Sequence, residues 1–396
     1  MPIPTPFHAR TAALCESYEW RDWSGYLAAG VYEPSHEREY FAIRNSAALI
    51  DVSPLFKYEI SGPDAARLVD RIITRDVTRC RIGQVLYSPW CDEDGKVIDD
   101  GTIARLDENH FRITAADPNL RWFQDAGYGF DAHVVDVSRD LAALSIQGPR
   151  SRDVLKAVVS GIDFDRLGYF RLAHGAFDHL PVTVTRTGYT GDLGYELWVR
   201  PENAERLWDC LVDRGAAYGL LPAGMVALDI ARIEAGLLLI EVDYISAAKA
   251  RIPEQKSSPY EIGLGWAVAL DGAAFVGRRA LQNEKARGSK WAFVGLNVDW
   301  LDLERLYGAV DLPPQIAGRA SRLAVPVYKN GRQIGQATSR TFSPILKQYI
   351  AIGTVLSEYA TTGAPVQVEV TVEYSRERAG ASIVKTPFFD PERKRQ

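Results

Sequence analysis

Residues 186–197 read Arg-Thr-Gly-Tyr-Thr-Gly-Asp-Leu-Gly-Tyr-Glu-Leu and join a turn to the start of a strand. The three glycines in this stretch permit a tight turn that residues with a Cβ atom would resist. Tyr189 lies in the turn, and Glu196 follows where apolar alternation begins. An aromatic ring beside a fixed carboxylate can hold a flat heterocycle that carries N–H donors. An ordinary hairpin with a surface tyrosine is equally consistent with this sequence, so both interpretations remain open at this point.

The composition is typical of a globular protein with more than one domain. The chain has 396 residues, of which 46% are hydrophobic and 24% are charged, and this length exceeds a single compact core. Its net charge of -5 provides no overall basic field for nucleic acid. We see no signal peptide or membrane span, and the four cysteines form no Cys-x-x-Cys pair. We therefore expect a cytoplasmic protein with reduced thiols that binds neither nucleic acid nor a membrane.

Strand and helix patterns follow one another along the chain and predict an α+β fold. Residues 57–61 alternate like a half-buried strand, and residues 224–235 have the pattern of an amphipathic helix. The composition changes near residue 285, and the tail beyond it is rich in strand patterns, including a hairpin that turns at Asn330-Gly331. This tail is long enough for a small closed β domain. The charged residues 391–396 are expected to be frayed.

Motifs for metal and phosphate chemistry are missing from the sequence. The six histidines form no HxxxH motif and no cluster with cysteine, so no metal site is expected. We find no Walker-type loop, no GxGxxG after a strand and no GxSxG elbow. These absences argue against the zinc, P-loop and serine-hydrolase classes of enzyme.

Two adjacent carboxylates, Asp99 and Asp100, follow a predicted hairpin turn at residues 92–95. Neighbouring side chains on a strand point to opposite faces, so Ile98 and Asp100 share one face. If that face is the apolar one, Asp100 is partly buried and its pKa rises, which suits a group that handles a proton. A pair of solvated aspartates at the end of a strand is the alternative interpretation.

Arg232 is a further candidate, and it lies in the predicted helix 224–235. Asp229 precedes it by three residues and is therefore within reach for an ion pair. An arginine in this position can instead bind the carboxylate of a ligand through two parallel hydrogen bonds. The sequence leaves the structural pair and the ligand contact equally open.

Taken together, ten stretches of the chain resemble the glycine-cleavage T-protein family of folate-dependent one-carbon transferases. They occur in the order of that family and are spread over nearly the whole chain, which indicates homology. The matching stretches are residues 49–53, 86–88, 95–100, 145–149, 186–196, 232–237, 263–266, 275–281, 337–344 and 385–389.

The resemblance implies a three-domain ring around a central folate channel, with a small β-barrel at the C-terminal end. Residues 1–50 and 140–285 would form the folate-binding α+β lobes, residues 51–139 the lobe with the catalytic aspartate, and residues 286–396 the barrel. The catalytic aspartate of the family matches Asp100, and the implied cofactor is tetrahydrofolate, with its pterin held by a glutamate. The residues that would contact this cofactor are Tyr87, Tyr189, Glu196, Arg232 and Trp266.

Departures from the family pattern bear on the one-carbon donor. Residues 114–117 lack a folate-binding asparagine of the family, residues 239–244 replace a Tyr-Gly segment, and an insertion follows at residues 245–256. Arg340 replaces a glycine. These changes favour a demethylase that moves a methyl group from a small O-, N- or S-methyl compound to N5 of tetrahydrofolate. The sequence does not assign a role to Arg340 or to the insertion.

Three other functions stay open. The first is a glycine-cleavage aminomethyltransferase that acts on a lipoyl carrier protein. The second is a non-catalytic folate-binding protein of the iron–sulfur assembly type, although the cysteine signature of that group is missing here. The third is the acceptor half of a system with a partner oxidase. The oligomeric state is not predicted.

Overall fold

The computed structural model describes residues 1–396 and contains nine α-helices and nineteen strands. The helices are α1 (His8–Leu14), α2 (Glu37–Asn45), α3 (Ala65–Ile72), α4 (Leu120–Ala126), α5 (Ser151–Val158), α6 (Ala204–Gly215), α7 (Met225–Glu234), α8 (Arg278–Arg287) and α9 (Trp300–Gly308). The first ten strands are β1 (Glu19–Trp23), β2 (Tyr26–Val31), β3 (Ala47–Asp51), β4 (Phe56–Ser61), β5 (Val85–Cys91), β6 (Val97–Asp107), β7 (His110–Ala115), β8 (His133–Asp136), β9 (Ala142–Gln147) and β10 (Leu172–Phe177). The others are β11 (Leu180–Thr185), β12 (Gly194–Val199), β13 (Leu220–Pro222), β14 (Trp291–Val298), β15 (Val325–Lys329), β16 (Arg332–Ser343), β17 (Gln348–Leu356), β18 (Pro365–Val372) and β19 (Ser375–Val384).

A six-stranded sheet in the order β10-β11-β12-β9-β3-β13 is covered by helices on both faces. Leu49 and Ile146 pack with α5 and α6 on one face, and Ile50 and Ala143 pack with α2 and α7 on the other. Every residue of β9 is buried, including the polar Ser145 and Gln147, so this strand is covered on both faces. The sheet therefore holds β12, which carries Glu196, in a rigid position.

A five-stranded sheet in the order β5-β6-β7-β4-β8 forms the second unit, with α3 and α4 packed against it. The segment 238–285 also packs on this unit, because Leu238 and Ile262 share an apolar cluster with Val97. The Ala247 amide donates to the Val97 carbonyl at 2.8 Å. The segment 238–285 thus contacts the sheet that carries Asp100, and the domain bounds predicted from sequence stay a prediction.

The third unit is a closed barrel in the order β14-β17-β16-β15-β18-β19. Pairing of β14 with β19 closes it, so no strand is left with an unpaired edge. Its interior is apolar and includes Leu296, Val327 and Ile383. The predicted α+β fold with a C-terminal β-barrel is confirmed. No helix in the structure has both the length and the apolar character needed to cross a membrane.

The C-terminal residues are docked, and the expectation that they are frayed is wrong. Arg393 binds the buried carboxylate of Asp192 through two nitrogens, at 2.7 and 2.8 Å. The amides of Phe388 and Phe389 both donate to the carbonyl of Glu234 at 2.9 Å. These contacts attach the end of the chain to the loop before β12 and to the end of α7.

The side chain of Glu234 joins the N-terminal unit to the barrel. Its carboxylate accepts hydrogen bonds from Arg44 at 2.6 and 2.9 Å, from Tyr40 at 2.5 Å and from Ser343 at 2.6 Å. All of these side chains are buried. A buried charge is tolerated only where partners of this kind replace its hydration.

Candidate active site

The glycines of residues 186–194 are required because the turn packs tightly on its neighbours. A Cβ atom on Gly188 would lie 2.2 Å from Gln147 Nε2, and one on Gly194 would lie 2.1 Å from Gln147 Oε1. Gly191 has a φ of +71°, and its Cβ would lie 2.5 Å from that of Ala235. Side chains at these positions would push the turn away from β9 and α7. The turn predicted from sequence is therefore a packed element that fixes its own tyrosine and the start of β12.

Glu196 lies half-buried on β12 with one carboxylate oxygen held and the other free. Its Oε2 accepts a hydrogen bond from Thr187 Oγ1 at 2.6 Å and a longer one from Thr185 Oγ1 at 3.4 Å. Oε1 accepts no hydrogen bond from the chain. Burial raises the pKa of Glu196, and the two threonine hydroxyls oppose that rise. This arrangement fixes an acceptor that is open to a ligand with N–H groups.

A narrow crevice between the two sheets lies beside Glu196. The residues that line it include Thr102, Arg112 and Thr114 from the five-stranded sheet and Thr183, Thr185 and Trp198 from the six-stranded sheet. Thr185 both lines the crevice and contacts Glu196. The crevice therefore opens between the units that carry Asp100 and Glu196.

Asp100 lies on β6 and accepts hydrogen bonds from two tyrosines. Tyr87 donates its hydroxyl to Oδ2 at 2.6 Å, and Tyr244 donates its hydroxyl to Oδ1. Burial raises the pKa of Asp100, while the hydrogen bonds from Tyr244 and Tyr87 lower it. The predicted face shared by Ile98 and Asp100 is wrong, because a bulge at Ile98 breaks the alternation of β6. Ile98 packs in the core of the five-stranded sheet, whereas Val97 shares a cluster with Tyr244 and Tyr87 beside the partly buried Asp100. The alternative of two solvated aspartates is wrong.

Asp99, on the opposite face, is also buried and belongs to a separate network. It accepts hydrogen bonds from the amides of Asp100 at 2.8 Å and Asp117 at 3.0 Å, and from Asn119 Nδ2 at 2.9 Å. Burial and the nearby charge of Asp100 raise the pKa of Asp99 well above its usual range. Two neighbouring carboxyl groups with raised pKa values make this strand a place where a proton can be held.

Sequence reasoning missed Asn119 and Tyr244. Asn119 directly precedes α4 in the segment Asp-Pro-Asn, which signals only the start of a helix. Tyr244 is 3% exposed and belongs to a segment that was recognised only as a departure from the family. Neither residue carried a sequence signal for contact with the aspartate pair, because both contacts depend on how distant segments fold together.

Asp243 positions the loop that carries Tyr244. It accepts hydrogen bonds from the Leu239 amide at 2.8 Å, from Thr338 Oγ1 at 2.5 Å and from Ser339 Oγ at 2.6 Å. Thr338 and Ser339 belong to β16 of the barrel. The barrel therefore helps to hold the tyrosine that contacts Asp100.

Arg232 is 1% exposed and is bonded to protein groups on all three of its nitrogens. Nε lies 2.8 Å from Asp229 Oδ1, Nη1 lies 2.5 Å from Asp243 Oδ2, and Nη2 lies 2.8 Å from Ser339 Oγ. The structural ion pair that the sequence left open is therefore formed. A contact between Arg232 and folate stays a prediction.

The remaining predicted residues lie around Asp100. The rings of Tyr87 and Trp266 stack with centroids 6.1 Å apart and an interplanar angle of 21°, and Trp266 is 63% exposed. Tyr189 donates its hydroxyl to the carbonyl of Leu238. Burial first, and then charges that include Asp100, raise the pKa of Tyr189. Aromatic side chains thus extend from Asp100 to the protein surface, which they reach at Trp266.

Two family models match this chain. The model of the GCVT N-terminal domain matches residues 6–272, and the model of the glycine cleavage T-protein C-terminal barrel domain matches residues 314–390. The chain belongs to the glycine cleavage T-protein family, as its sequence motifs indicated. The prediction that it is an enzyme of this folate-dependent transferase class is confirmed.

Similar proteins agree with this assignment. An aminomethyltransferase of Halothermothrix orenii is 34% identical over 357 residues, which cover 89% of this chain and 90% of that protein. A trimethylamine-oxide aldolase of Ruegeria pomeroyi is 33% identical over 404 residues, which cover 99% of this chain and 47% of that protein. The structure of glycine cleavage system aminomethyltransferase T from Bartonella henselae matches with a TM-score of 0.82 at 23% identity, covering 98% of this chain and 99% of that one. This last match shows the shared fold.

Proposed function

We propose that this protein is a cytoplasmic demethylase that moves a methyl group from a small O-, N- or S-methyl donor to N5 of tetrahydrofolate. The observation that carries the proposal is the Asp100 carboxylate, held on one oxygen by Tyr87 and on the other by Tyr244. A carboxylate that is fixed in this way and has a raised pKa is suited to orient a reacting group and to hold its proton.

The donor set of the site fits a reduced folate. Glu196 offers a free carboxylate oxygen for the N–H groups of a pterin, and Tyr87 and Trp266 offer a flat aromatic surface. Tyr189 would complete the wall on the same side as Asp100. We infer that the two α+β units and the barrel surround a central channel, because both sheets line the crevice beside Glu196 and the barrel holds the Asp243 loop next to Asp100. Arg232 would act indirectly, because its ion pair with Asp243 holds the loop that carries Tyr244.

The proton balance of methyl transfer gives Asp100 its role. Bound tetrahydrofolate would supply a nucleophilic nitrogen, N5, whose proton would leave as the methyl group is transferred, and the leaving group of the donor would gain one proton. Asp100 can take up the first proton because burial has raised its affinity for it. Tyr87 and Tyr244 keep the carboxylate in one orientation throughout, so no reorganisation is needed when the bond forms.

The preference for a small methyl donor is supported by the segments that depart from the family pattern. The insertion at residues 245–256 contacts the segment 114–117, because Lys249 Nζ lies 2.5 Å from Asp117 Oδ2. Asp117 in turn donates its amide to Asp99, and Tyr244 directly precedes the insertion. The divergent residues thus form one wall around the aspartate pair, where a donor would approach.

An aminomethyltransferase that acts on a lipoyl carrier protein is the second candidate. The observation in its favour is the 34% identity to an aminomethyltransferase over 89% of this chain. Its site would use the same folate-binding residues, so only the donor distinguishes the two candidates. A partner oxidase would be needed only if the donor is first oxidised to an activated one-carbon unit.

A donor screen tests the proposal. Purified protein and tetrahydrofolate are incubated with O-, N- and S-methyl compounds and, separately, with an aminomethylated lipoyl carrier protein. Mass spectrometry then separates methyl-tetrahydrofolate from methylene-tetrahydrofolate. We expect the methyl product with at least one small donor. Turnover with the carrier protein alone would replace the demethylase proposal with the second candidate.

A further inference from the structure

Arg75 is a half-buried cation without an acidic partner. Its guanidinium forms no hydrogen bond or salt bridge within the chain, and it lies 5.4 Å from the centroid of the Trp266 ring. Burial is the main cause that lowers the pKa of Arg75. The Cys80 side chain opposes this shift, and the positive charge of Arg79 adds to it. An arginine placed in this way retains most of its planar N–H donors for a ligand.

Two acidic residues, Asp76 beside Arg75 in the sequence and Asp271, are paired with a different arginine. Asp76 lies 3.1 Å from Arg79 Nε, and Asp271 lies 3.4 Å from Arg79 Nη2. Arg79 is far more exposed than its partner Asp76, with 71% of its side chain accessible against 12%. The exposed cation is therefore neutralised while Arg75, beside it, is not.

Hydrogen bonds of Thr74, the residue before Arg75, attach it to the segment that follows Trp266. Thr74 Oγ1 donates to the carbonyl of Ala267 at 2.8 Å, and the amide of Ala269 donates to the carbonyl of Thr74 at 2.8 Å. Trp266 stacks on Tyr87, which donates to Asp100. A continuous series of contacts therefore leads from the guanidinium on the rim to the carboxylate inside.

We propose that Arg75 and Trp266 form a carboxylate-binding subsite at the entrance to the Asp100 site. This inference rests on the proposed function and extends it to the charge of the ligand. The guanidinium carbon lies over the indole, 5.4 Å from the ring centroid, and a guanidinium has parallel N–H groups that match the two oxygens of a carboxylate. The carboxylate belongs either to the glutamate tail of the folate or to the methyl donor, and the two sources give different results in one experiment.

The test measures binding to the full-length protein by isothermal titration calorimetry. The folate arm compares 5-formyltetrahydrofolate with its diamide, in which both carboxylates of the glutamate are neutral amides. The donor arm compares methoxyacetate and methylthioacetate with their uncharged amides. The variants are Arg75→Met, Arg75→Lys and, as a matched control, Arg71→Met, which removes an exposed, unpaired charge at the end of α3.

Arg75→Met should weaken binding of the carboxylate ligand by about tenfold to a hundredfold and leave its uncharged counterpart unchanged, which is the usual scale for charge-assisted hydrogen bonds. Arg75→Lys should lose less, because it keeps the charge without the planar fork. Arg71→Met should bind like the wild type. A loss confined to the folate arm assigns the subsite to the glutamate tail, and a loss confined to the donor arm assigns it to the donor.

Equal losses for charged and uncharged ligands, or no loss in either arm, would overturn the subsite. Unchanged binding of the uncharged ligands also shows that the variant is folded. If the wild type binds neither folate compound, the proposed function fails as well. If it binds both and Arg75→Met has no effect, only the subsite fails.

Discussion

Replacement of Asp100 by asparagine separates positioning from proton handling at the site. The carboxylate accepts one hydrogen bond on each oxygen, from Tyr87 and from Tyr244. The amide of asparagine has one acceptor oxygen, and its NH₂ group can donate to a tyrosine hydroxyl that has rotated. The side chain therefore keeps its place, but it loses its charge and its capacity to take up a proton.

The size of the expected effect follows from that difference. Loss of a positioned proton acceptor lowers turnover by about 10² to 10⁴-fold. This range corresponds to about 3–5 kcal/mol in the activation barrier. Folate binding should stay within about tenfold of the wild type, since the proposed pterin contact at Glu196 and the aromatic wall are unchanged and one neutral hydrogen bond is worth about 1 kcal/mol.

The assay combines single-turnover formation of methyl-tetrahydrofolate with a separate binding titration of 5-formyltetrahydrofolate. Asp107→Asn is the matched control, because Asp107 lies exposed at the end of the same strand. The control should retain wild-type turnover. Wild-type turnover in Asp100→Asn would remove Asp100 from the mechanism. A loss of folate binding as large as the loss of turnover would mean that the residue acts only in binding.

Four further results are expected. Tyr244→Phe should lower turnover by about tenfold or more and move the acid limb of the pH–rate profile to higher pH, because the lost hydrogen bond had lowered the pKa of Asp100; an unmoved limb would contradict this. Glu196→Gln should raise the Kd of 5-formyltetrahydrofolate by about tenfold with little change in the rate of the bound complex, whereas a change in rate alone would point away from pterin binding. Glu234→Gln should lower the free energy of unfolding in guanidinium by about 3–5 kcal/mol, since Arg44 would lose its charged partner, and an unchanged midpoint would refute that account. Asp100→Asn should gain stability relative to the wild type as the pH rises from about 4 to 7. A carboxylate whose pKa is raised in the folded state stabilises the fold below that pKa and loses this contribution above it. An equal difference in stability between the two proteins at both pH values would argue against the raised pKa.

Much of the fold was accessible from local patterns. The turn at residues 186–193 follows from glycines and a polar run, and the barrel follows from alternating strands such as β18. The opposite orientations of Asp99 and Asp100 follow from strand geometry alone. In each case the structure depends on residues that are close in sequence, which is why a pattern can indicate it.

The packing of the segment 238–285 and of the end of the chain was not accessible in the same way. The segment 238–285 carries no local signal for the sheet on which it packs, and its apolar residues would suit either lobe. The charged residues 391–396 resemble a solvated tail until the buried Asp192 supplies a partner for Arg393. Burial of a charge depends on a partner elsewhere in the chain, and composition does not reveal that partner.

The amino-acid sequence by itself determined the family, the α+β units with their barrel, and the candidate aspartate. The tertiary structure alone decided that Tyr244 holds this aspartate, that the three nitrogens of Arg232 bind protein groups, and that Arg75 has no acidic partner. The physical reason is distance along the chain. Tyr244 and Asp100 are 144 residues apart, and a hydrogen bond between them exists only because the packed core brings α7 and the loop after it back against β6.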